Sequence, residues 1–63
     1  MPIPFTLAEL AECAEKECKA RPIRYANRVL THRMKRQEAD RQIEMMRSIA
    51  EVLRELAKGE RLL

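Results

Sequence analysis

Ala39-Asp40-Arg41-Gln42-Ile43-Glu44-Met45-Met46-Arg47-Ser48-Ile49-Ala50-Glu51-Val52-Leu53-Arg54-Glu55-Leu56-Ala57-Lys58 is the stretch whose reading decides the fold. Within it Ala39, Ile43, Met46, Ala50, Leu53 and Ala57 recur at alternating four- and three-residue steps, the spacing of heptad a and d positions on one helical face. Ile49 and Leu56 widen this stripe on one flank, giving a face broad enough for a bundle rather than a narrow two-stranded seam. Glu44, Arg47, Glu51, Arg54, Glu55 and Lys58 fall outside it. Gly59 follows as a conventional C-terminal stop. The pattern predicts a helix over 36–58 and a short tail over 59–63.

Upstream, Thr31-His32-Arg33-Met34 interrupts the periodicity and marks a turn over 31–35, with His32 tolerating a left-handed or irregular backbone. The preceding segment predicts a second helix over 6–30. Its start is marked twice in Phe5-Thr6-Leu7-Ala8-Glu9-Leu10. Thr6 and Glu9 have capping-box spacing, and Phe5 can pack on Leu10 as a hydrophobic staple. Before it, Pro2 and Pro4 keep the chain extended. Leu7, Leu10 or Ala11, Ala14, Cys18, Tyr25 and Val29 then supply an apolar face. Pro22 removes one N–H and crowds the carbonyl of Cys18, so this helix should be kinked or broken there. Each helix is roughly 35 Å long at 1.5 Å per residue. Two such rods joined by so short a connection form an antiparallel hairpin. The fold class is therefore all-α.

A 63-residue chain is a single domain, too small for its own core to stabilise it amply. Two helices bury one stripe each, leaving Ile23, Leu30, Met45 and Val52 without cover. Pairing two hairpins into a four-helix bundle would supply it, so the chain is expected to dimerise through Ile43, Met46, Ile49, Leu53 and Leu56.

The parts needed for catalysis are missing. His32 is the sole imidazole and Gly59 the sole glycine, so neither a triad nor a phosphate-binding glycine loop can be assembled. Cys13 and Cys18 lie roughly 140° apart on one helix, which suits neither a mutual disulfide nor a zinc site. Cys18 reads as a small core residue and Cys13 as partly buried. The chain is thus expected to have no enzymatic activity, cofactor or metal. No uncharged run is long enough to span a membrane, and the N-terminus lacks a basic region followed by an apolar one. These features point to the cytoplasm, where the thiols stay reduced.

Charge is the feature with most functional content. No acidic residue occurs between Cys18 and Gln37, while Arg21, Arg24, Arg28, Arg33, Lys35 and Arg36 gather toward the hairpin tip. Arg21, Arg24 and Arg28 share one helical face. Glu9, Glu12, Glu15 and Glu17 make the first turns of helix one acidic, which also suits the helix dipole. These six basic residues are the candidate site for a partner or for nucleic acid. With a net charge of +3 and no recognition motif, nucleic acid is the alternative rather than the leading reading.

Arg28-Val29, Arg33-Met34, Ala39-Asp40-Arg41-Gln42-Ile43-Glu44-Met45-Met46 and Ile49-Ala50 carry a resemblance to short helical-hairpin open reading frames of proteobacterial phages and prophages. It covers roughly residues 7–53. Those chains have a Glu-then-Arg first helix, a turn ending in Lys/Arg-Met, and an Ala-Asp…Met…Ala-Ile second helix. The sequence departs from them at Ala26, where a proline usually follows the Tyr, and at His32 and Lys35, where Gly and a Thr cap are usual. The resemblance implies a small accessory protein that binds a host or phage protein, and assigns no functional residues.

Overall fold

The computed structural model describes residues 3–61 and contains two α-helices, α1 (Leu7–Leu30) and α2 (Arg36–Arg61), packed against each other. Their direction follows from three contacts. Leu7 reaches Glu60, Glu15 reaches Arg54 and Arg21 reaches Gln42, so the partner number falls as the α1 number rises. The hairpin is antiparallel.

α1 starts at the expected capping box. The Glu9 N–H donates to Thr6 Oγ1 at 3.0 Å, and the Thr6 N–H donates to Glu9 Oε1 at 3.0 Å. These bonds satisfy donors that a bare helix start leaves open. Phe5 is exposed, so a staple on Leu10 adds little. A third acceptor comes from the far end of the chain, where Glu60 Oε2 accepts from the Leu7 N–H at 3.0 Å. That contact explains why Gly59 does not end α2. A glycine stop uses a left-handed backbone, and no described glycine has positive φ. The helix instead continues to Arg61 and carries Glu60 to the start of α1. The expected tail is helical over its first three residues, while residues 62 and 63, like Pro2, lie outside the described ones.

Pro22 sits inside α1 without ending it, so the break allowed by the sequence does not occur. One missing N–H costs one rung of a 24-residue helix. Ala14 and Cys18 before the proline and Tyr25 after it pack inward and hold both halves on α2.

The turn closes α1 with a complete Schellman arrangement. The Arg33 N–H donates to the Arg28 carbonyl at 2.8 Å and the His32 N–H donates to the Val29 carbonyl at 3.1 Å. Of the two backbones its turn position allowed, His32 takes the left-handed one, at φ 58°. A Cβ is strained there, whereas Gly59 sits in helix with nothing within 4 Å of where a Cβ would be. His32→Gly and Gly59→Ala should therefore each stabilise the hairpin by about 1 kcal/mol. For a domain of this size that raises the thermal midpoint by about 4–8 °C, measurable by circular dichroism.

The buried residues are Ala11, Ala14, Tyr25, Ala39, Met46, Ala50 and Ala57. Alanine dominates, so the helices can approach closely but remove little apolar area from water. Cys18 and Leu53 pack on the cluster of Ala14, Met46 and Ala50. This core is thin, which makes the outer faces of the helices the informative part of the molecule.

Candidate interaction surfaces

The six basic residues divide into two groups. Arg21 works within the hairpin: its Nε donates to Glu17 Oε1 at 3.1 Å and its Nη1 donates to the Gln42 carbonyl at 3.2 Å. Arg24 Nη1 donates to the same Glu17 oxygen at 2.8 Å. The Arg21 and Arg28 guanidinium carbons lie 5.8 and 5.4 Å from the centroid of the Tyr25 ring, within cation–π range. Glu17 thus neutralises part of the face formed by Arg21, Arg24 and Arg28. Its i,i+4 spacing to Arg21 was readable in the sequence, but the acid-free interval begins one residue too late to include it. Arg33, Lys35 and Arg36 are exposed, make no ion pair among the described residues, and line an open hollow with Val29, His32 and Met34. Glu38 on its rim is the one acid there.

The residues expected to mediate self-association also divide. Met46 is buried in the hairpin and Leu53 packs on the same cluster, so both are consumed within one chain. Both belong to the stripe that the spacing expects to be buried, and the hairpin buries that stripe against α1. Ile43 is half-buried, while Ile49 and Leu56 remain 49% and 52% exposed. Met45 and Val52, left without cover by the sequence reading, are 40% and 59% exposed. Met45, Ile49, Val52 and Leu56 follow at steps of four, three and four, a second heptad stripe on α2. At about 100° per residue it lies a quarter-turn from the Met46, Ala50, Leu53 stripe. Ile23 and Leu30 on α1 are more exposed still.

Glu15 and Arg54 join the helices across one edge through two hydrogen bonds, the Nε to Oε2 bond at 3.0 Å and a second from Nη2 to Oε1. The Arg54 hydrogen bonds hold the Glu15 carboxyl below the usual carboxylate range. Hydrogen bonds from Arg24 and Arg21 do the same for Glu17, and those from Thr6 for Glu9. The Glu44–Arg47 pairing that the spacing permits is not among the ion pairs of the described residues.

A depressed carboxyl pKa stabilises the fold above the unfolded-state value, and that contribution is lost as pH falls through the folded-state value. Helicity and urea resistance should therefore hold from pH 7 to about 5 and decline through the carboxylate range and below it. Glu15→Gln and Glu17→Gln should lower the neutral plateau and flatten the acid limb. A urea midpoint independent of pH between 6 and 3 would contradict this account.

Cys13 is exposed and Cys18 half-buried, both as free thiols. Cys13 is thus more open than its proximity to the stripe implied, because one residue of helix turns it about 100° away from Ala14. Among the described residues no group of His, Cys, Asp or Glu is placed to hold a metal ion, and no helix is long and apolar enough to cross a membrane. No protein-family model, curated protein or solved structure matches the chain.

Proposed function

We propose that this chain is a non-enzymatic interaction protein of the cytoplasm, an α-hairpin that homodimerises into a four-helix bundle and acts by binding another protein. The observation that carries the reading is the exposed stripe of Met45, Ile49, Val52 and Leu56 beside a core built mostly of alanine. Burying a large aliphatic side chain stabilises by roughly 1.5–3 kcal/mol, and two copies together hold eight that are only half-covered. Small scaffolds recover through association what their cores do not supply. In this reading Pro22 bends α1 around the bundle, since its missing N–H opens the helix on one side. The similarity to short phage and prophage open reading frames supports an accessory role directed at a host or phage protein.

Light scattering at micromolar concentration tests the homodimer, with a mass near 15 kDa expected from the 7.4 kDa chain. A cooperatively folding monomer at that concentration removes it. Capture of partners from the native host, repeated after nuclease treatment, tests the rest. A protein partner should survive the nuclease.

A second reading, a small nucleic-acid-binding protein, draws on exposed Arg33, Lys35 and Arg36 together with Arg21, Arg24 and Arg28. It requires affinity for DNA or RNA that falls steeply as salt rises. Lack of any binding at about 50 mM salt, where phosphate contacts are strongest, disposes of it.

A further inference from the structure

We propose that the occupant of the exposed α2 stripe is a second copy of this chain lying antiparallel, α2 against α2, with the two-fold axis between Ile49 and Val52. The proposal rests on the homodimer reading and adds to it an orientation and a register. The stripe is self-complementary in spacing. Met45, Ile49, Val52 and Leu56 are separated by four, three and four residues, so rotation about their midpoint sets Ile49 against Val52 of the second copy and Met45 against Leu56. Every layer is then apolar on both sides. Shifting the pairing by one heptad toward the tip would set Gln42 against Val52 and Glu38 against Leu56, burying an amide and a carboxylate against apolar side chains.

Parallel pairing would also match the stripe, each residue with its own image, so charge selects the orientation. The hairpin is electrically lopsided. At the tip Arg28, Arg33, Lys35, Arg36 and Arg41 outnumber Glu38 and Asp40, while toward the open end Glu9, Glu12, Glu15, Glu51, Glu55 and Glu60 outnumber Lys16, Arg54 and Lys58, each of which already pairs with one of these acids. Parallel copies would set tip beside tip, with like charges closer than the screening length of physiological salt. Antiparallel copies set the basic tip of one along the acidic end of the other. They also oppose the two α2 dipoles. The midpoint of the stripe falls close to the middle of α2 (Arg36–Arg61), so the two helices overlap over most of their length.

The test places a spin label at Gln37→Cys, an exposed site on α2, in a Cys13→Ser, Cys18→Ala background, and measures the distance between labels in the dimer. The proposed axis puts the two positions about 40 Å apart along the bundle at 1.5 Å per residue. A separation of about 30 Å, the value for the register shifted by one heptad, overturns the register. Labels closer than about 20 Å, the span of neighbouring parallel helices, overturn the antiparallel orientation. A monomer at the same concentration overturns the underlying homodimer reading instead. The unmodified chain provides an independent measurement. Raising sodium chloride should weaken an antiparallel dimer by screening its attractive ends, and a dimer that tightens with salt overturns the proposal.

Discussion

Tyr25→Ala is expected to leave the chain largely unfolded at 25 °C. Tyr25 is the one aromatic in the core, 8% exposed among alanines, and its ring lies under the guanidinium groups of Arg21 and Arg28. Truncating a buried aromatic to alanine costs about 3–5 kcal/mol. The whole stability of a chain this short, at about 0.05–0.15 kcal/mol per residue, is of similar size. The loss also frees two arginines that the ring now helps to hold, and one of them anchors α1 to the Gln42 carbonyl. Far-UV circular dichroism should show most of the helical signal gone. Tyr25→Phe, which keeps the ring, should retain a cooperative transition. A Tyr25→Ala protein melting within a few degrees of the parent would show that the tip half of the hairpin is held by something other than this ring.

Met46→Ala should have the next largest effect, a loss of about 2–3 kcal/mol, at the low end of the range for buried methionines. Its buried neighbours in the cluster are Ala14 and Ala50, and of the side chains packed against them only Leu53 is long enough to lean into the space it leaves. The two helices can close part of the gap by moving together, which moderates the cost. Met46→Leu, similar in volume, should cost less than about 1.5 kcal/mol. Urea denaturation at one fixed protein concentration measures both, because any association would add to apparent stability by mass action. Met45→Ala offers the contrast. Met45 is exposed, so its truncation should barely alter the stability of one hairpin and should act on association instead. Equal effects at the two neighbouring positions would contradict the division of α2 into an inner and an outer stripe.

Features that depend on neighbours in sequence were legible before any coordinates. The Thr6–Glu9 capping box, the inward period of Ala39, Met46, Ala50 and Ala57, and the turn at His32 each follow from spacing within one or two helical turns. The candidate surfaces were legible in part. The basic residues were counted correctly, but the acid that neutralises two of them lies just outside the interval that made them conspicuous. Met46 and Leu53 sit on the stripe expected to be buried, and since α1 takes up that stripe, the exposed apolar one is its neighbour on α2.

The stretch from Ala39 to Lys58 by itself determined that this is an all-α chain with a long amphipathic helix whose apolar residues spread beyond a single heptad stripe. Local periodicity suffices for that, because a helix repeats every 3.6 residues wherever it packs. Tertiary structure decided the rest. It chose α1 as the cover for Met46, Ala50 and Leu53, and left Met45, Ile49, Val52 and Leu56 a quarter-turn away facing outward. It carried α2 past Gly59 so that Glu60 could accept from Leu7, and it tied Glu15 to Arg54 and Arg21 to Gln42 across the hairpin. The physical reason is common to all of these. Each depends on the distance and rotation between two helix axes, and those are set by which side chains interlock once the chain has doubled back.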